Sequence, residues 1–380
     1  MKIGIDARFY GEAGPGRYAK NIVEHLEKID SKNEYFVFLR PKGFEKYKAQ
    51  NLNFKKVLAD YKWYTWAEQF KFLFLVLKYR LNIFYVPHFN IPVLYPGKII
   101  TAIPDIIMHT FSTNRDTTLF KPYFYFKKFI YKFVVWWALV RSYKIIIPSK
   151  DVLADFMKVF PRISEDKYVI AYEGLDPIFI KSNINPDKIL EKYSIRQPFL
   201  LYISSMYEHK NVKRLIEAFK LLQEKYGFSG QLVLVGKVDK YSTEIAELVK
   251  TENLSEKIIL PGMFGYVGDD ETTALRKRAL AYVFPSLKEG FSLTPLEAQY
   301  FNLPCAVSDI PCHKEIYDDS VEYFDPLNVE EMAEKINLVL TDENIRKSLQ
   351  EKGRKNLANY SWNTTADITL KIFNKAFENA

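Results

Sequence analysis

The sequence predicts an α/β protein built from two doubly wound parallel sheets, one in each half of the chain. Three observations carry that prediction. Short apolar runs of strand length alternate with longer amphipathic stretches from end to end, the order of parallel β-α-β units. The 380 residues exceed a single comfortable core and suggest two domains of ordinary size. An apolar content of 48% is that of a globular chain, and neither an internal repeat nor a low-complexity tract interrupts it.

In the first half the strands are expected at Lys2 to Asp6, Tyr35 to Leu39, Ile83 to Val86, Lys98 to Ile103, Lys144 to Ile147 and Tyr168 to Ala171. A helix is expected from about Arg17, with Tyr18, Ile22, Leu26 and Ile29 on its apolar face. The stretch from Gly174 to Pro198, with Asp176-Pro177 and Asn185-Pro186, reads as a linker. A second strand series follows at Phe199 to Ile203, Leu232 to Val235, Lys257 to Leu260, Ala281 to Phe284 and Cys305 to Ser308. Helices are expected from about Asn211 to Glu224 and from about Trp362 to Phe377. The predicted domains are residues 1–177 and 178–361. Ligands of such sheets sit at the C-terminal ends of the strands, so the two halves would face each other across a cleft.

Charge is divided unevenly. Residues 1–180 hold 28 Lys plus Arg against 17 Asp plus Glu, and the remainder 26 against 29, so the excess of +8 belongs to the first half. That half also has two basic, aromatic segments, Lys62 to Arg80 and Phe120 to Lys144. Neither holds an apolar run of spanning length, which argues against a transmembrane helix. They read as amphipathic core helices with lysines on the solvated face, or as a face for peripheral contact with an anionic membrane. No nucleic-acid-binding module is visible. Met1 leads straight into a strand, without the charged lead and apolar core of a signal peptide, and this predicts a cytoplasmic protein. Cys305 and Cys312, the only cysteines, indicate neither a disulfide framework nor a zinc site, so no metal or cofactor is predicted.

The stretch Glu289-Gly290-Phe291-Ser292-Leu293-Thr294-Pro295-Leu296-Glu297 runs from a strand and loop into a helix. Thr294 would cap that helix with Pro295 at its first position, which places Gly290 to Leu293 just before its N-terminus, where backbone N–H groups and the dipole favour a diphosphate. Carboxylates accept hydrogen bonds from hydroxyls, and a nucleotide sugar carries hydroxyls on both sides of its diphosphate, so Glu289 would face the hexose and Glu297 the ribose. The bland alternatives are an exposed turn at Glu289 and a capping box that sends Glu297 back to Thr294. Gly14-Pro15-Gly16 ahead of a helix offers further backbone donors, or is a surface turn. It also fits G-x-G-x-x-A through Ala19, but the next strand ends in Arg40-Pro41-Lys42, without the acid that holds an NAD ribose, so an NADP-dependent oxidoreductase is a remote alternative.

The run from Pro285 to Lys335 resembles the C-terminal half of glycosyltransferase family 4, retaining enzymes of the GT-B fold with two Rossmann-like domains. The resemblance takes in Pro285-Ser286, Glu289-Gly290-Phe291, Leu296-Glu297-Ala298, Ser308-Asp309-Ile310-Pro311 and Tyr323-Phe324-Asp325-Pro326. Upstream, Tyr202 to Asn211 is similar to the family's donor-phosphate strand and loop, and Ile5-Asp6-Ala7-Arg8 with Gly14 to Tyr18 to its first strand and glycine loop. It implies a metal-independent hexosyltransferase, with no Asp-x-Asp motif present. Lys210 and Ser205 would contact the donor phosphates, Glu289 would position the sugar, Gly265, Tyr266 and Val267 would lie near the base, and the last helix, 362–380, would cross back to the first domain. General similarity to mannosyltransferase-like members points to GDP-mannose as donor and to a glycan or lipid-linked acceptor in cell-surface polysaccharide assembly. The chain departs from the family pattern twice. No arginine stands between Ser204 and His209, and Ile103-Pro104-Asp105 lacks the histidine that many members place before the aspartate. Asp105 remains a candidate for sugar or acceptor, and a catalytically degenerate sugar-nucleotide-binding protein is the alternative.

Overall fold

The computed structural model describes residues 1–12, 14–110, 121–175 and 184–379. The chain forms two compact units, Met1–Gly174 with Ser361–Ala380, and Leu175–Tyr360. The expected domain boundary at 177/178 and the Asp176-Pro177 part of the expected linker lie outside the described residues. Asn185-Pro186 does not continue a linker: the Asn185 side chain caps a helix, Pro186–Lys192, whose Pro sits in the first turn.

The N-terminal unit holds seven parallel strands, β1 (Lys2–Asp6), β2 (Glu34–Leu39), β3 (Phe54–Leu58), β4 (Ile83–Val86), β5 (Ile99–Ala102), β6 (Ser142–Ile147) and β7 (Tyr168–Ile170), in the order β3-β2-β1-β4-β5-β6-β7. The C-terminal unit holds β8 (Phe199–Ile203), β9 (Gln231–Val235), β10 (Ile258–Ile259), β11 (Ala281–Phe284), β12 (Cys305–Ser308) and β13 (Glu322–Phe324), in the order β10-β9-β8-β11-β12-β13. Central strands such as β4, β8 and β11 read as continuous apolar runs because helices cover both faces of a parallel sheet. The two strands absent from the sequence prediction, β3 and β13, are edges pairing with one neighbour each. Their interleaved charges (Phe-Lys-Lys-Val-Leu, Glu-Tyr-Phe) suit an edge and mask the strand signal.

Both sheets reverse direction of winding between their first strand and its non-sequential neighbour, β1/β4 and β8/β11. Side chains at the C-terminal ends of these pairs are where a ligand of such a sheet lodges. The last helix, Trp362–Glu378, packs in the N-terminal unit against the helix Pro15–Ile29, burying Ala366, Thr369, Phe373 and Ala376. Thr365 Oγ1 donates to the Tyr172 carbonyl there, and Gly174 leaves no room for a Cβ against the Trp362 backbone.

Candidate functional site

In the C-terminal unit the loops leaving β8 and β11 are fastened together at the switch point. Leu287 N donates to the His209 carbonyl at 2.7 Å. Asn211, in a left-handed conformation (φ 61°) that asparagine tolerates, precedes the helix Val212–Tyr226, and its Nδ2 donates to the carbonyls of Pro285 and Pro326 at 3.1 and 2.7 Å. Between these ties lies the pair predicted separately from sequence: Lys210 Nζ donates to Glu289 Oε1 at 2.6 Å, with the side chains only 12% and 8% exposed. Lys210 also lies over the Phe284 ring, 5.4 Å from its centroid. Burial alone would raise the Glu289 carboxyl, but the Lys210 ammonium, by charge and by hydrogen bond, outweighs it and holds the group below the usual carboxylate range.

Ser205 is half-buried beside this pair in sequence, its carbonyl accepting from Tyr202 Oη at 2.6 Å. Gly290 to Leu293 lead into the helix Leu293–Tyr300, but that helix begins before Thr294, so Thr294 is not its cap. The reason is Ser292, which adopts the left-handed region (φ 69°) and turns the chain into the helix early. Buried neighbours hold it: His313 Nε2 meets Ser292 Oγ at 2.9 Å while His313 Nδ1 meets the Ser308 carbonyl at 2.8 Å, and Tyr317 Oη donates to the Ser292 carbonyl. Sequence reasoning missed this brace, since His313 and Tyr317 lie on the next helix, Pro311–Tyr317, and carry no motif of their own.

Glu297 is buried on the helix Leu293–Tyr300 and pairs with the guanidinium of Arg276, itself buried on the helix Asp269–Arg278. That pairing was not expected. The helix of Arg276 starts at Asp269, shortly after Gly265, Tyr266 and Val267. Gly265 holds φ 139°, and the Tyr266 ring is 89% exposed.

Gly14, Gly16 and Asp105 belong to the N-terminal unit. Gly14, at φ 65°, starts a helix that begins at Pro15 rather than near Arg17. A Cβ on Gly16 would collide with the Phe9 carbonyl, so the loop needs both glycines. Asp105 Oδ1 accepts from Ile107 N at 2.9 Å. His88 and His109 are both depressed to about 4, mainly by burial, and stay neutral. Glu173, absent from the sequence candidates, is pushed up to about 7 by burial, with Arg17 opposing and Asp105 adding to the shift.

Residues 186–356 match the family model of glycosyl transferases group 1. The C-terminal unit carries a group 1 glycosyl transferase domain. Over 237 residues the chain is 29% identical to the serotype-specific mannosyltransferase WbdA of Escherichia coli, covering 62% of this chain and 28% of that one. The chain thus spans under a third of that relative's length. Solved structures that match over the whole chain include sucrose-phosphate synthase from Thermosynechococcus elongatus (TM-score 0.75, 14% identity, 100% of both chains) and Anabaena HepE in complex with UDP and glucose (0.74, 13% identity, 99% and 100%). With the two parallel sheets, these likenesses give the glycosyl transferase domain its setting, the GT-B fold of two Rossmann-like domains.

Proposed function

We propose that the protein is a retaining, metal-independent glycosyltransferase that moves mannose from GDP-mannose onto a glycan or lipid-linked acceptor in surface polysaccharide assembly. The buried Lys210–Glu289 pair at the β8/β11 switch point carries the reading. An ammonium and a carboxylate side by side, next to the N-terminus of the helix Leu293–Tyr300, suit a ligand that joins an anionic diphosphate to a polyhydroxylated ring. The mannosyl donor is suggested by the likeness to the mannosyltransferase WbdA.

In this reading Lys210 and Ser205 donate to the diphosphate together with the amides of Gly290, Phe291, Ser292 and Leu293. Glu289 accepts from the hexose hydroxyls, and Glu297, oriented by Arg276, from the ribose. Gly265, Tyr266 and Val267 border the base, Gly14 and Gly16 lend amides, and Asp105 serves sugar or acceptor. The acceptor hydroxyl attacks the anomeric carbon from the face that the phosphate vacates. The bond from that carbon to the phosphate oxygen breaks, the hydroxyl proton passes to the departing oxygen, and a glycoside and GDP leave. Lys210 offsets the charge on GDP, an electrostatic contribution of several kcal/mol in a water-poor site.

Peripheral contact of the N-terminal unit with an anionic membrane surface, on the cytoplasmic side, belongs to the same proposal. It is supported by outward aromatic faces on the helical stretch Glu68–Leu77 and the helix Lys121–Arg141. Among the described residues no helix is long and apolar enough to cross a membrane.

The test is release of GDP from GDP-mannose, with UDP-glucose and ADP-glucose as comparators, in the presence of EDTA. Turnover is expected to fall at least a hundredfold in Glu289→Gln, assayed well below a melting temperature that the unpaired Lys210 ammonium lowers. Near-normal turnover in that variant, or activity that returns only with Mg²⁺ or Mn²⁺, contradicts the proposal. Tight binding of nucleotide without turnover in the native protein supports the degenerate sugar-nucleotide-binding protein instead.

A further inference from the structure

Tyr64 is the one aromatic residue among the described residues with a positive φ, 61°, a conformation that a bulky side chain adopts only when its surroundings impose it. The imposing group is Glu68, whose Oε2 accepts from Tyr64 N at 2.8 Å. Glu68 is wholly buried and fixed in turn: its Oε1 accepts from Arg8 at 2.6 Å and its Oε2 from Asn90 Nδ2 at 2.7 Å. Arg8, also buried, is gripped by Asp6 at 2.7 Å and donates to the Tyr61 carbonyl at 3.3 Å. Asp6 ends β1, and Asn90 follows β4, so this ionic network sits at the switch point of the N-terminal sheet. A rigid, buried network thus ends in a strained backbone whose ring is held out 66% exposed.

The ring does not stand alone. Tyr64 lies 6.4 Å from Phe89 and 6.5 Å from His88, and Phe89 lies 5.2 Å from Tyr131, whose hydroxyl meets His109 Nδ1 at 3.1 Å. The Tyr131 phenol is raised chiefly by burial and further by Asp105 and Tyr64, which puts Asp105 within electrostatic reach of the same group. His88 Nδ1 accepts from Asn90 N at 3.1 Å, which leaves the ring proton on Nε2. An exposed aromatic face with Phe89 beside it suits a ligand whose apolar C–H face stacks on the ring while its hydroxyls stay in water. Such a ligand is a pyranose ring.

From this placement we infer that Tyr64 is a stacking platform for a pyranose ring of the acceptor, and that the acceptor therefore presents a saccharide, rather than a bare isoprenyl phosphate, to the N-terminal unit. The inference rests on the glycosyltransferase reading for the word acceptor, while the platform itself stands on the N-terminal unit alone. Strain at a position whose ring is mostly open to solvent is retained for what the side chain binds, and relieving it separates binding from stability. Tyr64→Gly keeps the positive φ without a Cβ and discards the ring.

The experiment is saturation-transfer NMR of the full chain with methyl α-mannopyranoside, methyl α-glucopyranoside and farnesyl phosphate as probes, alongside melting temperatures. Saturation of pyranoside ring protons is expected in the native protein, retained in Tyr64→Phe and lost in Tyr64→Gly, whose melting temperature equals or exceeds the native value. A pyranoside signal that survives in Tyr64→Gly, a signal from farnesyl phosphate alone, no probe signal at all, or a Tyr64→Gly protein that melts well below native overturns the inference. Nucleotide binding reports separately. If no nucleoside diphosphate stabilises the native chain while the Tyr64-dependent pyranoside signal holds, the donor reading fails and the platform stands.

Discussion

Lys210 and Glu289 are each other's nearest charge compensation, so altering one of them has two effects that must be told apart. Removing one partner of a buried pair leaves an uncompensated charge and costs about 3–5 kcal/mol, whereas replacing both by apolar groups of similar volume is close to neutral. Lys210→Met is therefore expected to lower the melting temperature markedly, and Lys210→Met/Glu289→Leu to recover most of the loss, as read by thermal denaturation. A double variant no more stable than the single one would mean that the two charges do not act as a pair. Because the folded protein holds the Glu289 carboxyl below its unfolded value, the stability it brings is present above the ordinary carboxylate pKa of about 4.3 and is lost as the pH falls through the folded value. Glu173 runs the other way. Its folded pKa is raised to about 7, so the folded state holds a proton that the unfolded state releases, and stability falls as pH rises between the unfolded value and 7. Glu173→Gln should melt higher than native at pH 8 and alike at pH 4; equal melting at both pH values would refute the assignment.

At the scale of elements, the two basic aromatic segments differ from ordinary core helices. In the stretch Glu68–Leu77 the buried side holds Phe72, Leu73 and Val76, as a core helix should, yet Phe70, Phe74 and Leu77 point outward. The helix Lys121–Arg141 buries Val135, Ala138 and Leu139 and turns out Phe129, Ile130, Phe133, Trp136 and Val140. Of the two readings of these segments, the core-helix one puts lysines on the outward faces. Lys71, Lys128 and Lys132 do lie in these stretches, but beside aromatics, and the only acid in either, Glu68, is buried. The loop at Val93 joins the two: Val93 N donates to Gln69 Oε1 at 2.8 Å, Trp137 Nε1 donates to the Val93 carbonyl at 2.9 Å, and Leu94 beside it is exposed. For the membrane contact proposed above, exposed aromatics with neighbouring lysines and, among the described residues of these two stretches, no exposed acid suit an anionic bilayer surface, each nearby cation adding about 1 kcal/mol. Sedimentation with vesicles of phosphatidylcholine and phosphatidylglycerol should carry the native protein down, with at least a tenfold loss in Phe70→Ser/Phe74→Ser/Trp136→Ser. Equal binding to vesicles of phosphatidylcholine alone would remove the electrostatic half of the argument.

At the scale of the whole molecule, the parallel sheets were legible because their central strands are uninterrupted apolar runs between amphipathic helices, and a pattern of that kind has few other solutions. Edge strands escaped because charges such as Lys55 and Lys56 interrupt their pattern. At the candidate site, Glu289 could be read from its strand-loop-helix setting and Lys210 only from the family resemblance, but their direct contact could not, since 79 residues separate them and only the order β8-β11 makes them neighbours. The left-handed turn at Ser292 and the Arg276 pairing of Glu297 were hidden for the same reason: each is fixed by a side chain from a different helix. The central claim is that the switch point of the C-terminal sheet is a nucleoside diphosphate site organised by one buried ion pair. Its most direct test is the melting temperature of the native chain and of Lys210→Met/Glu289→Leu with GDP, UDP or ADP, since a ligand that binds only the folded state raises that temperature. A rise with one nucleotide, GDP, is expected in the native chain and none in the double variant. Equal rises in both proteins, or none with any nucleotide, would contradict it.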